Sequence, residues 1–409
     1  MKCRFCGHTL ENVFIDLINA PPSNSYLTKE QLNEPEIYFP LKVFVCEHCW
    51  LVQLDEYKKS DEIFSEDYAY FSSYSKSWVK HAEDYVEMIC KRLSLNKSSK
   101  VMEIASNDGY LLQFFVVKGI PCLGVEPSAG TAKAAEEKGV ESIIEFFGSN
   151  LANQIVKERG KQDLIIGNNV LAHVPDINDF VGSLKTVLSD TGTITMEFPH
   201  FLKLIQYNQF DTIYHEHFSY FSLNTVEQIF LAHGLKIYDV EELSTHGGSL
   251  RIYASHVNDE SHSMALGVES IKKKEREMGL LDPEIYASFQ EKANIVKHSF
   301  LSFLLEQNRM GKKIVAYGAA AKGNTLLNYC GIKGTDLIEF VVDASPHKQG
   351  KYLPGSQIPI LSEQRIFDDK PDIIVVFPWN IKEEIFAQLS YVKDWGCQFV
   401  VAVPKLELM

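Results

Sequence analysis

Short apolar runs alternate with helical stretches from residue 100 onward, and this alternation leaves the chain very few architectures. "KVMEIAS", "PCLGVEPS", "DLIIGNN" and "GTITMEF" have the length and apolar content of buried strands, with "YLLQFFVVKG" and the Ala-rich "AGTAKAAEEKG" between the first of them. Such strands, joined by helices, predict a mainly parallel, doubly wound α/β sheet. A helical pattern, "VKHAEDYVEMICKRL", precedes it. The alternation restarts after residue 310 with "KKIVAYGAAAKGNTLLNY", "IEFVVDAS", "PDIIVVFPWN" and "QFVVAVPK", which predicts a second, smaller Rossmann-like α/β layer. The charged helical region from 266 to 310 between them reads as a solvated connector.

Residues 1 to about 60 have a different texture, with half of the eight cysteines and few periodic segments. "CRFC" (Cys3, Cys6) and "CEHC" (Cys46, Cys49) are two C-x2-C knuckles, and four thiolates in two hairpins suit a tetrahedral Zn2+. Four thiolates leave no open position, so the metal is expected to be structural and to supply folding energy that a small module lacks. His8 and His48 stand nearby but are not needed. "MKCRFCGHTL" lacks the apolar core of a signal peptide, and no apolar run reaches membrane-spanning length. A cytoplasmic compartment is expected, where the thiols stay reduced. The formal net charge of −14 argues against nucleic acid as a partner.

"VMEIASNDGYLL" is a strand, a small-residue turn and a helix start; the next strand ends at Glu126, eighteen residues after Asp108. In doubly wound sheets the acid on the second strand takes ribose hydroxyls. The turn lacks the G-x-G-x-x-G that a pyrophosphate requires. It places Asp108 where a phosphate would be repelled but a sulfonium-bearing amino acid tolerated, so S-adenosylmethionine fits better than NAD. Glu103, Ala105, Ser106, Asn107, Asp108 and Glu126 form the candidate cofactor set, joined by Asn168 and Asn169 at the end of "DLIIGNN".

"TIYHEHFSYFS" crowds Tyr214, His215, Glu216, His217 and Tyr220 into seven positions. It lacks the i,i+4 His pair of a helical metalloprotease, and as a strand it would send Glu216 to the face opposite both histidines. Acid/base work is the reading preferred over a metal. "HGGSLR" (His246 to Arg251) combines close backbone approach with a guanidinium, suited to a diphosphate. "YGAAAKGNT" also lacks dinucleotide spacing; it offers Lys322, and the next strand ends at Asp343.

"EIASNDGYLL", "NNVLAHVPDINDF", "MEFPHF", "FDTIYHEHFSYFSL" and "HGGSLR", behind a four-cysteine module, resemble the zinc-containing, S-adenosylmethionine-dependent sugar C-methyltransferases. The resemblance covers almost the whole chain. It departs at Ala105, where many relatives carry Gly. It implies methyl transfer to the carbon next to the ketone, C-3, of a nucleotide-linked 4-keto-deoxysugar held between the central and C-terminal domains. Tyr214, Glu216 and His217, His173 from "LAHVP", and Tyr68 from "EDYAYFSS" are the implied active-site groups. His217 suits the base, Glu216 its orienting partner and Tyr214 the donor to the enolate. Tyr70, His246, Ser249, Arg251, Lys322 and Asp343 are the expected substrate contacts. A sugar O-methyltransferase, a nucleotide-sugar reductase and a degenerate scaffold are the rival readings. The expected division is a zinc module at 1–65, a methyltransferase domain at 66–265 and a C-terminal α/β domain at 266–409.

Overall fold

The computed structural model describes residues 1–57, 59 and 71–409. Strands β1 (Asn12–Ala20), β2 (Phe39–Val45) and β3 (Val52–Leu54) form an antiparallel sheet beside the two cysteine knuckles. Each knuckle turns back through a left-handed residue just after its second cysteine, Gly7 (φ 72°) and Trp50 (φ 63°). Glycine accepts that conformation at no steric cost, whereas Trp50 is held there by stacking on Tyr286 at 5.7 Å and by bonding its N–H to the Cys46 carbonyl at 2.7 Å.

The central sheet contains β4 (Val101–Ile104), β5 (Cys122–Val125), β6 (Ser142–Ile143), β7 (Gln162–Asn168) and β8 (Leu188–Pro199), which run parallel in the order β8-β7-β4-β5-β6. Every residue of β4 is buried, as a strand covered on both faces requires. The helix Lys76–Arg92 covers one face; Trp78, Ala82, Tyr85, Val86 and Ile89 recur at helical spacing on its buried side, and Ser75 caps it by accepting from Trp78 N–H. The chain winds outward through β5 and β6 and then returns to β7 on the other side of β4. That switch point opens a crevice at the carboxyl ends of β4 and β7, where ligands of such sheets bind.

Two features depart from the sequence reading. After the Tyr214–His217 segment the chain forms β9 (Ser219–Tyr220), which leaves the central body and pairs antiparallel with β3, Val52 opposite Tyr220 and Gln53 opposite Ser219. The N-terminal sheet is thus finished by a strand from the middle of the chain. An antiparallel hairpin, β10 (Leu235–Leu243) with β11 (Ser249–His256), then completes the central sheet beside β8.

The second departure is the 266–310 region, which is not a solvated connector. On the helix Phe289–Arg309 the residues Phe289, Ala293, Val296, Phe300, Phe303 and Leu304 are buried, in one core with Phe14 of β1 and Phe201. Glu275 of the helix Leu266–Met278 is buried too; it accepts from Leu223 and Asn224 N–H at 2.6 and 3.0 Å and pairs with His200 at 2.7 Å. Glu275 apart, the charges that suggested solvent lie on the outward side of each helix.

The C-terminal sheet contains β12 (Ile314–Tyr317), β13 (Val341–Val342), β14 (Ile360–Leu361), β15 (Ile373–Val376), β16 (Gln398–Val401) and β17 (Glu407–Leu408), in the order β14-β13-β12-β15-β16-β17. All its pairings are parallel except β16 with β17. Among the described residues, no helix is long and apolar enough to cross a membrane.

Candidate active site

The β4 turn is built from left-handed residues, Ala105 at φ 56°, Asn107 at 50° and Gly109 at 70°. Alanine thus occupies a conformation that glycine adopts freely. Glu126, at the end of β5, clasps the turn: Oε2 accepts from Asn107 N–H at 2.9 Å and Oε1 from Ser128 N–H at 3.0 Å. Burial pushes Glu126 upward, and those backbone donors oppose the shift. Asp108 does not meet a ligand unpaired, as the sequence suggested; Lys138 lies 3.2 Å from its Oδ2. Glu103 and Ser106 have no exposure at all, so they support the turn from beneath instead of reaching into the crevice.

Asn168 closes β7 with Nδ2 donating to the Tyr110 hydroxyl at 3.3 Å, and Asn169, at φ 55°, donates to His246 Nε2 at 2.8 Å. Asp108 Oδ1, Ser128 Oγ and Asn169 Oδ1 are buried and lack a hydrogen-bond partner among the described residues. Buried polar atoms seldom stay unpaired. Following the carboxyl ends of β4, β5 and β7 in turn, they fit a polar, hydroxyl- and amine-bearing cofactor such as S-adenosylmethionine.

The four cysteine Sγ atoms lie within 4.8 Å of one another, with Cys3–Cys49 and Cys6–Cys46 at 3.6 Å. Thiolates arranged tetrahedrally about zinc at roughly 2.3 Å stand about 3.8 Å apart, so the quartet fits the metal. His8 and His48 are exposed and stack on each other instead.

Tyr214–His217 forms a tight turn rather than a strand, with His217 N–H bonded to the Tyr214 carbonyl at 2.9 Å. His217 Nδ1 donates to the Thr212 carbonyl at 2.9 Å, and His173 Nδ1 donates to the Glu216 carbonyl at 2.8 Å. Each bond fixes the neutral tautomer in which Nε2 carries the lone pair. The two rings meet edge to face at 4.8 Å, and the Tyr214 ring lies 4.0 Å from that of His217. Burial holds His217 well below the ordinary histidine range and His173 at about 4, so both are neutral bases at physiological pH. The expected Glu216–His217 partnership is not formed. The Thr212 carbonyl orients His217, while the Glu216 carboxylate accepts from Asn24 Nδ2 at 2.6 Å. His215 points away, toward the Pro40 carbonyl at 3.2 Å.

On the C-terminal side, Lys322 lies 4.2 Å over the Trp379 ring and donates to Asn380 Oδ1 at 2.8 Å; Trp379 Nε1 donates to Asp211 Oδ2 at 2.6 Å. Burial lowers Lys322 to about 8 and His246 to about 4, and raises Asp211 to about 6. Lys322 and His246 both act electrostatically on His217, and Gly247, next to His246, packs against the Trp379 ring that Lys322 covers. Asp343 accepts from Ser345 N–H in its own loop and from Ala319 N–H in the turn after β12, at 2.8 Å each, and Ser249 Oγ donates to the Thr245 carbonyl at 2.9 Å. Arg251 is not a free diphosphate contact. It lies buried beneath the helix Lys76–Arg92, paired with Glu197 at 2.7 Å and stacked over Tyr85. Tyr68 and Tyr70 fall outside the described residues.

The sequence reading missed Asn24, Tyr26, Asp211 and Trp379. The Tyr26 hydroxyl lies 3.2 Å from Asn24 Oδ1 and donates to the Ala319 carbonyl at 2.6 Å, so the N-terminal segment links the Tyr214–His217 turn, through Asn24 and Glu216, to the C-terminal sheet. No local pattern marks such residues.

A doubly wound sheet of this order, with the acid on its second strand and polar groups at its switch point, defines an S-adenosylmethionine-dependent methyltransferase. Family models match in three consecutive segments: a zinc binding domain over residues 3–64, a methyltransferase domain over 78–240 and a C-methyltransferase C-terminal domain over 244–404. The chain is 33% identical over 404 residues to the C-methyltransferase NovU of Streptomyces niveus, covering 99% of this chain and 96% of that protein. It belongs to this family of C-methyltransferases with an N-terminal zinc binding domain. A shorter match, 24% identical over 27% of this chain and 44% of the other, is to a ubiquinone biosynthesis O-methyltransferase of Rhodopseudomonas palustris. Among solved structures, a SAM-dependent methyltransferase from Anabaena variabilis is 16% identical, with a TM-score of 0.38, over 50% of this chain and 99% of that one.

Proposed function

We propose that this C-methyltransferase acts on a nucleotide-diphosphate-linked 4-keto-deoxysugar, removing a proton from C-3 and methylating that carbon. The observation that carries the reading is a pair of imidazoles, the buried His217 and the half-buried His173, each with Nδ1 fixed on a backbone carbonyl, with Tyr214 packed against His217. Methylation of carbon needs a base for the C–H and a donor for the developing enolate oxygen. A positioned base contributes about 10²–10⁴-fold. His217 Nε2 takes the proton, the Tyr214 hydroxyl donates to the enolate oxygen, and His173 and Tyr68 complete the pocket. Glu216 binds the sugar side of the pocket with Asn24 rather than orienting His217.

S-adenosylmethionine, when bound, supplies an electrophilic methyl group. Glu126 would present its remaining lone pairs to the ribose hydroxyls, and Asn107, Asp108, Asn168 and Asn169 would hold the amino-acid end. Lys322 and His246 would bind the diphosphate, with Tyr70 at the sugar. The division at 1–65, 66–265 and 266–409 then assigns zinc, methyl donor and nucleotide to successive domains, with the acceptor at their junction. Incubation with nucleotide ketosugars in D2O tests the reading directly. Deuterium wash-in next to the ketone, and a labelled methyl on carbon by NMR, are expected. A methoxy product, or no wash-in with any ketosugar that binds, refutes it.

A further inference from the structure

The first cysteine knuckle reaches both histidine-bearing segments through one side chain. Arg4, between Cys3 and Cys6, donates from Nη1 to the Pro175 carbonyl at 2.8 Å and from Nη2 to the Leu54 carbonyl. Its guanidinium lies over the Phe218 ring at 5.4 Å. Pro175 is two residues beyond His173, and Phe218 follows His217 directly. Phe218 N–H bonds to the Ala172 carbonyl at 2.8 Å, and its own carbonyl accepts from Leu54 N–H at 3.0 Å. Asn178 Nδ2 ties the same loop to the Arg4 and Phe5 carbonyls at 3.1 and 2.9 Å.

The knuckle has its own grip on Arg4. Arg4 N–H donates to Gln53 Oε1 at 2.8 Å, while Gln53 Nε2 donates to Cys3 Sγ at 3.2 Å. Gln53 is fully buried and pairs through its backbone with Ser219 of β9. A donor to a ligating sulfur orients that ligand and is sensitive to the metal it holds.

We propose that Arg4 is a positioning residue of the active site: with Gln53 it ties the spacing of His173 and His217 to the metal-loaded knuckle. The cysteine site then does more than hold an N-terminal module together. It is the fixed point against which two segments, one from each side of the crevice, are aligned. This inference rests on His173 and His217 forming the acid/base pair.

Two measurements on the full-length protein test it. Hydrogen exchange is followed before and after a chelator strips the zinc. Residues 172–178 and 213–220 are expected to gain exchange together, by about tenfold or more, while the 101–112 turn keeps its protection. If residues 1–20 and 39–54 loosen but those two segments stay protected, the inference is overturned, and this arm needs no variant to fold. In the second arm, Arg4→Ala is expected to lower kcat by about 10²-fold, the scale of a small misplacement at a reacting centre. S-adenosylmethionine affinity should stay within about twofold, and added guanidinium ion should restore part of the rate. A zinc-loaded Arg4→Ala protein with unchanged kcat overturns the inference. His217→Ala separates the two readings, because an active His217→Ala enzyme refutes the acid/base pair and leaves the exchange result to be read by itself.

Discussion

His173 and His217 meet edge to face at 4.8 Å although they come from different strand ends, and each has Nδ1 spent on a backbone carbonyl. Neither ring can turn without giving up that hydrogen bond, so the lone pairs on Nε2 are fixed in direction before any substrate arrives.

His217→Asn is expected to lower kcat by about 10²–10⁴-fold while calorimetry shows S-adenosylmethionine affinity unchanged. His173→Asn is expected to produce a smaller loss in kcat. Comparable rates for both variants and the native enzyme would remove the base from this site.

The pH profile follows from burial. His173, lowered to about 4, and His217, held well below the ordinary histidine range, lose their base character only as pH falls far below that range, so the acid limb of kcat/KM should lie well under 6.5. Lys322, lowered to about 8, loses its charge as pH rises through that value. An alkaline limb near 8 should therefore appear in KM for the nucleotide sugar, and Lys322→Gln should abolish that limb.

Arg251 and Glu197 form a buried pair whose loss should register as stability. Burial alone would raise Glu197, but His81 and Arg251 hold it at about 2. The resulting stabilisation is present above the unfolded carboxylate value near 4.5 and is lost as pH falls from there through about 2. Removing one partner of a buried pair costs about 3–5 kcal/mol. Arg251→Met should thus lower the thermal midpoint by several degrees and leave KM for the sugar nucleotide within about twofold. A large rise in KM at unchanged stability would return Arg251 to the substrate.

Ala105, at φ 56°, carries a left-handed penalty of roughly 1–2 kcal/mol; glycine removes it, but its greater unfolded freedom costs about 0.4–1 kcal/mol, which leaves a net gain between about zero and about 1.6 kcal/mol. Ala105→Gly should be slightly stabilising in thermal melts, with cofactor affinity intact. Ala105→Val should be destabilising and weaken cofactor binding.

Local chemistry made much of this legible. The β4, β5 and β7 strands, the turn after β4 and the cysteine quartet all announce themselves within a few residues, through burial pattern, small residues or paired thiols. The segment from Tyr214 to His217 stood out for its titratable residues but not for its shape, because the Thr212 and Glu216 carbonyls rather than the Glu216 carboxylate orient His217 and His173. Arg251, expected to meet the diphosphate, is instead held in a buried ion pair with Glu197. On β11 it shares a face with Tyr253, and that face lies under the helix Lys76–Arg92. Asn24 bonds Glu216 across 192 positions of sequence, and such a contact leaves no trace in spacing.

The pairing of β9 with β3 also has a consequence for biosynthesis. While the nascent chain is still short of Tyr220, β3 presents an unpaired backbone edge beside the four-cysteine cluster. At about 5–20 residues per second, that interval lasts on the order of ten seconds or more. An early-folding amino terminus would therefore wait, half-assembled and open to rival strands, for a ribosome to deliver its last piece.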